Sequence, residues 1–295
     1  MPILIKWLKR ILGGLLIFIF LLLLIFKFIY NPFERNKKQI LTFFHEKHVP
    51  IQLTSIAFGQ DSLQVISTTN SFTKDSILVC FIHGAPGSSM DFKRYLSDTL
   101  LLQNAKLMAI DRPGYGNSSQ YFENISRQAK DLMKVINNAG KYKRLILVGH
   151  SYGCPIAAEM AIQNREKVSK VIFLAGVIDP FHEQVFWYAK LFNLPLLNAL
   201  IPKDFQSAIF EKINHKKHLL KLHEHWTELT VPILMIHGLK DTYLAPYNNV
   251  NYAKQNIPKK YLKLQLEKDK GHLIPFIHRV FTRDIILNTI KSMQQ

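Results

Sequence analysis

The sequence predicts an α/β domain with a mostly parallel sheet flanked by helices, interrupted by a helical cap insertion and preceded by an N-terminal transmembrane helix. Three observations carry this expectation. From Ile51 onward, short apolar runs alternate with longer helix-like segments, the pattern of parallel strands buried beneath crossover helices. A Gly-x-Ser-x-Gly pattern, Gly149-His150-Ser151-Tyr152-Gly153, joins one such run to a small-residue segment. Near the N-terminus, every residue from Ile11 to Phe26 is apolar or glycine.

The N-terminal run continues through Phe28, Ile29 and Tyr30 after Lys27, whose ammonium can snorkel to headgroups. About 20 apolar residues suffice to cross a bilayer core. Lys6, Lys9 and Arg10 precede the run as in a signal peptide, but the run is long for one and no small-residue cleavage site follows. Residues 1–30 are therefore expected to form an uncleaved single-pass anchor. The basic residues before the run favour a cytoplasmic N-terminus and an extracytoplasmic catalytic domain, an asymmetry that Arg35, Lys37 and Lys38 blunt.

A polar, helix-like connector over 31–50 leads to two strands, Ile51 to Phe58 and Leu63 to Thr68, with Gly59-Gln60-Asp61-Ser62 supplying the turn of a hairpin. Strands are then expected at 77–83, 106–110, 144–149 and 168–175, separated by helices at 90–102, 125–138 and 152–164. The segment 181–230 breaks the alternation. It is helical in pattern, rich in aromatic residues, punctuated by Pro195 and Pro202, and too long for an ordinary connection, so it reads as an inserted cap. Strands at 232–237 and 261–266 and helices at 246–255 and 275–293 complete a core formed by 51–180 and 231–295.

Composition narrows the function classes. The 295 residues carry 38 Lys and Arg against 21 Asp and Glu, a net charge of +17. The lysines are scattered, without interleaved stacking aromatics, so no nucleic-acid partner is expected. Cys80 and Cys154 lie in apolar surroundings and read as small buried residues rather than a disulfide. His215, His218, His223 and His225 fall in a Lys-rich helical stretch without companion ligands; they read as a solvated helix face, and no metal site is expected.

Ser151 has the setting of a nucleophile elbow. A sharp strand-to-helix turn pushes one side chain out of the sheet, and glycines flank it because a Cβ on either side would meet the neighbouring strand or helix. Four further segments, His83-Gly84-Ala85-Pro86-Gly87-Ser88, Asp111-Arg112-Pro113-Gly114-Tyr115-Gly116-Asn117-Ser118, His237-Gly238-Leu239-Lys240-Asp241 and Gly271-His272, follow strands in order. Together these motifs resemble the α/β-hydrolase fold superfamily, in the branch of serine esterases, monoacylglycerol lipases and prolyl iminopeptidases. The resemblance spans residues 83 to 272 and implies a hydrolytic site on a mostly parallel sheet.

The chemistry also follows from the residues. A serine hydroxyl needs a neutral imidazole to take its proton, and His272 is the candidate. The imidazole needs a carboxylate to hold its tautomer; Asp241 fits the order Ser, acid, His of this fold, with Asp179 as the alternative acid. The resemblance assigns the oxyanion hole to the backbone N–H groups of Ala85 and Tyr152, while His83, Asp111 and Arg112 are expected to brace loops. A serine at the elbow disfavours the aspartate-dependent chemistry of haloalkane dehalogenases and epoxide hydrolases. The leading expectation is a membrane-anchored serine hydrolase acting on carboxylic esters, with lipid-derived acyl esters as one candidate class and no cofactor required. Two alternatives stand beside it. One is a proline iminopeptidase-like aminopeptidase or amidase, which would use a cap carboxylate among Glu183, Glu211, Glu224 and Glu228; the other is a non-catalytic membrane-tethered binding protein. The oligomeric state is left open.

Overall fold

The computed structural model describes residues 2–28, 36–69 and 76–294. Helix α1 spans Pro2–Phe28, and its segment Leu4–Ile25 is long and apolar enough to cross a membrane, with a mean hydropathy of 2.5. Residues 29–35, which include the expected end of the anchor, the start of the connector and Arg35, lie outside the described residues. The connector then forms α2 (Lys37–Glu46), opened by a capping box in which Asn36 and Gln39 satisfy each other's backbone N–H groups.

Eight strands form one sheet: β1 (Ile51–Phe58), β2 (Asp61–Thr68), β3 (Ile77–Ile82), β4 (Lys106–Ile110), β5 (Arg144–His150), β6 (Val168–Leu174), β7 (Ile233–Gly238) and β8 (Leu262–Glu267). Their spatial order is β1-β2-β4-β3-β5-β6-β7-β8. The expected hairpin is present as antiparallel β1 and β2, β2 pairs antiparallel with β4, and all other pairings are parallel.

Alternate residues of the central strands face opposite layers, as the two-residue period of a strand requires. Leu78, Cys80, Ile82, Leu145 and Leu147 pack on one side with α5 (Ile125–Asn137) and α6 (Gly153–Gln163). Ile77, Val79, Phe81, Ile146 and Val148 pack on the other with residues of α2, α3 (Lys93–Leu96), α4 (Thr99–Leu102) and α12 (Arg279–Gln294). Both cysteines are free and buried.

Two expected helices are divided. Over 90–102 the chain makes a 3₁₀ turn and then the short α3 and α4, because Asp98 stops the first by capping the second through Leu100 N–H at 3.1 Å. At the C-terminus, α11 (Ile274–Ile277) and α12 are separated at His278, whose backbone leaves the helical region. Between β6 and β7 lie α7 (Trp187–Phe192), α8 (Pro195–Asn198) and the long α9 (Lys203–His223), and α10 (Asn248–Asn256) follows β7. The start of this insertion has its own small cluster of Ala189, Ile201 and Ile209. Its end does not stand apart: Leu219, Leu222, Trp226 and Leu229 join the main core, and Trp226 donates to the Tyr252 hydroxyl at 3.1 Å.

Candidate active site

Ser151 stands between β5 and α6 with φ +52, a left-handed conformation uncommon outside glycine and held here by its surroundings. Its N–H donates to Leu174 O at the end of β6, and its carbonyl accepts from Cys154 N–H. A Cβ on Gly149 would lie 2.6 Å from the Gly153 carbonyl oxygen, and one on Gly153 would lie 2.2 Å from that of Ile82. The chain turns so tightly that only hydrogen fits on both sides, which is why the side chain between them projects beyond the C-terminal end of the central strand β5.

Asp241 and His272 come from loops after β7 and β8, and Gly238 brings those loops together. A Cβ there would sit 2.2 Å from Lys270 O, and Lys240 N–H bonds that same oxygen at 3.0 Å. The result is a 2.7 Å contact between His272 Nδ1 and Asp241 Oδ2, while Asp241 Oδ1 accepts from Ala245 N–H at 2.9 Å. A carboxylate only accepts, so Nδ1 is the donor in this contact, and in the neutral ring the lone pair lies on Nε2. Asp179 is occupied elsewhere: its carboxylate bonds His182 Nδ1 at 2.7 Å and accepts from Asn248 Nδ2 at 2.8 Å.

Ser151 and His272 share one cavity of about 570 Å³ with Gly84, Ala85, Tyr152, Phe186, Tyr188 and Phe276 among its walls. Among the described residues no hydrogen bond joins the Ser151 hydroxyl to the His272 ring. Ala85 and Tyr152 line the same cavity, and neither backbone N–H is taken by a hydrogen bond among the described residues. His150, beside the serine, bonds His272 O through Nε2 at 3.1 Å and so ties the elbow to the histidine loop. Burial, reinforced by His272, pushes its pKa down to about 3.

The bracing residues behave as expected. Burial, then the Arg112 charge, holds the His83 pKa well below its usual range. The neutral ring donates from Nδ1 to Gly84 O at 2.7 Å and accepts from Arg112 N–H at Nε2 at 3.0 Å. Asp111 accepts from Ser89 N–H at 2.6 Å and Asn117 N–H at 2.9 Å.

The partners of Arg112 leave no local signal in the sequence. Its guanidinium forms a two-pronged pair with Glu211 of α9, which also accepts from Tyr115 Oη at 2.6 Å and Gln128 Nε2 at 2.9 Å. The same guanidinium lies over the Tyr152 ring, 4.9 Å from its centroid. The solvated reading of the α9 histidines is corrected for two of them. His215 is buried against Glu183 at 3.1 Å and the Tyr152 ring at 4.7 Å, and His218 is buried beside it. His215, His218, Leu219 and Leu222 recur at helical spacing and turn inward together, whereas Lys216, Lys217 and Lys221 face solvent.

The model of the α/β hydrolase fold family matches residues 77–206. A serine hydrolase from the bacterium Cycloclasticus zankles superposes with a TM-score of 0.65 at 17% identity, covering 82% of this chain and 99% of that one. MGS-M2, an α/β hydrolase enzyme from a deep-sea metagenome, superposes with a TM-score of 0.66 at 16% identity, covering 81% and 97%. The chain has the α/β-hydrolase fold. Among curated proteins, the chain is similar to human Protein ABHD8, 29% identical over 202 residues that make up 57% of this chain and 45% of the relative. It is also similar to Epoxide hydrolase 3 of Xenopus tropicalis, 28% identical over 183 residues, 54% of this chain and 49% of the relative. The matches thus span less than half the length of these relatives.

Proposed function

We propose that this α/β-hydrolase is a membrane-anchored serine hydrolase that cleaves carboxylic esters, lipid-derived acyl esters included, with α1 as the anchor and α7–α9 as a cap over the cavity. The observation that carries the reading is the 2.7 Å contact of His272 with Asp241 at the cavity that Ser151 lines.

The roles follow from that arrangement. As Ser151 Oγ bonds to the ester carbonyl carbon, its proton passes to His272 Nε2, and Asp241 stabilises the imidazolium. Alignment of hydroxyl and ring is expected to complete itself around bound substrate, since such contacts are often long in the free enzyme. The N–H groups of Ala85 and Tyr152 stabilise the oxyanion, each worth about 10²- to 10³-fold in rate. Collapse breaks the bond to the alcohol oxygen, which takes the proton from His272; water then repeats the sequence and releases the acid.

An epoxide-opening reaction like that named for the Xenopus relative would need a carboxylate at the elbow, where this chain has Ser151. An aminopeptidase reading is disfavoured because Glu211 already holds Arg112 and Glu183 already holds Lys212, while Glu224 and Glu228 are not among the residues lining the cavity. The test is hydrolysis of p-nitrophenyl esters of graded chain length by the full-length protein. Turnover that disappears in Ser151→Ala supports the proposal; no turnover, or equal turnover by the variant, overturns it.

A further inference from the structure

An exposed apolar surface runs from α7 and α8 to the rim of the cavity. Trp187 is 75% exposed and Leu196 76%, with Leu191 and Leu194 exposed between them. Tyr188, Leu244 and Leu273 are both exposed and part of the cavity wall, so they form its rim. Ring contacts make the surface continuous: Trp187 meets Tyr188 edge-on at 6.1 Å, and Phe186 stacks on Tyr188 at 5.3 Å and on Tyr243 at 5.0 Å. A contiguous patch of this kind on a water-facing surface marks an interaction site.

The end of α1 indicates what covers it. Leu23 packs on the Ala189, Ile201 and Ile209 cluster beneath α7 and α8, and the Lys27 ammonium donates to Ala199 O just past α8. The last turns of a helix long enough to span a bilayer therefore abut the segment that carries the exposed residues. Tryptophan and tyrosine favour the headgroup boundary, and Lys190, exposed on α7, is a cation of the kind that pairs with lipid phosphates.

We infer that the α7–α8 face docks into the lipid interface in which α1 is anchored, so that the rim formed by Tyr188, Leu244 and Leu273 opens onto acyl chains and the ester substrate enters from the membrane. The docking rests on the reading of α1 as a membrane anchor, and the entry route rests on the ester-hydrolase reading as well.

The test uses the full-length protein in phosphatidylcholine and phosphatidylglycerol vesicles. An environment-sensitive fluorophore is placed at Leu196→Cys and, for comparison, at Lys141→Cys, which is exposed ahead of β5; the native cysteines are buried. Brominated lipids are expected to quench the label at 196 and leave that at 141 bright, and equal quenching at the two positions overturns the docking. In parallel, Trp187→Ser combined with Leu196→Ser is expected to hydrolyse water-soluble p-nitrophenyl butyrate within about twofold of the unmodified protein, and a vesicle-embedded long-chain monoacyl ester about tenfold more slowly. Equal effects on both esters overturn the entry route. Absence of hydrolysis of either ester by the unmodified protein overturns the hydrolase reading and the entry route with it, while the quenching comparison still decides the docking.

Discussion

Arg112, in the loop after β4, and Glu211, on α9, form a buried two-pronged ion pair across 99 residues of sequence, with side chains 0% and 3% exposed. Removing one partner leaves the other charge buried without its counter-charge, which typically costs about 3 to 5 kcal/mol. Glu211→Gln and Arg112→Met are each expected to lower the melting temperature by roughly 10 °C. The double variant Arg112→Met with Glu211→Leu should recover part of that loss. Circular dichroism melts of the three variants and the unmodified protein check this, and additive losses in the double variant would contradict it.

The two candidate acids separate cleanly by substitution. Asp241→Asn removes the acceptor that holds His272 Nδ1 and is expected to lower kcat on p-nitrophenyl esters about 10³- to 10⁴-fold. Asp179→Asn, whose carboxylate holds His182 and Asn248 instead, should stay within about threefold of the unmodified protein. Steady-state kinetics on one ester decides, and the reverse ranking would move the acid to residue 179.

Acid lability is expected from the buried imidazoles. His83 and His150 are 1% and 5% exposed, and both titrate below the ordinary value of 6.5. Above pH 6.5 both folded and unfolded chains hold them neutral, and they contribute nothing to pH dependence. Below it the unfolded chain binds protons that the folded chain refuses, so each residue destabilises the fold by about 1 kcal/mol over the first pH unit. Denaturant unfolding at pH 7.5 and 5.5 should show this loss, and His150→Gln should flatten the difference; equal slopes would refute the assignment.

Much of the fold was legible because the signals were local. Alternating apolar runs mark all eight strands, and the small residues around Ser151 mark the elbow whose serine has φ +52. The divided helices were less legible, since Asp98 works as a cap only once its backbone turns. The Arg112 to Glu211 pair was invisible because a buried arginine demands a carboxylate but nothing local says which. The α9 histidines were misread because lysine-rich composition hid an inward stripe at 215, 218, 219 and 222.

The central claim is that His272 makes the Ser151 hydroxyl a nucleophile, and covalent labelling by a fluorophosphonate with peptide mass mapping tests it most directly. The account predicts one adduct, on Ser151, absent in Ser151→Ala and formed at least about 10³-fold more slowly in His272→Ala. No adduct on Ser151, or unchanged labelling of that serine in His272→Ala, would contradict it.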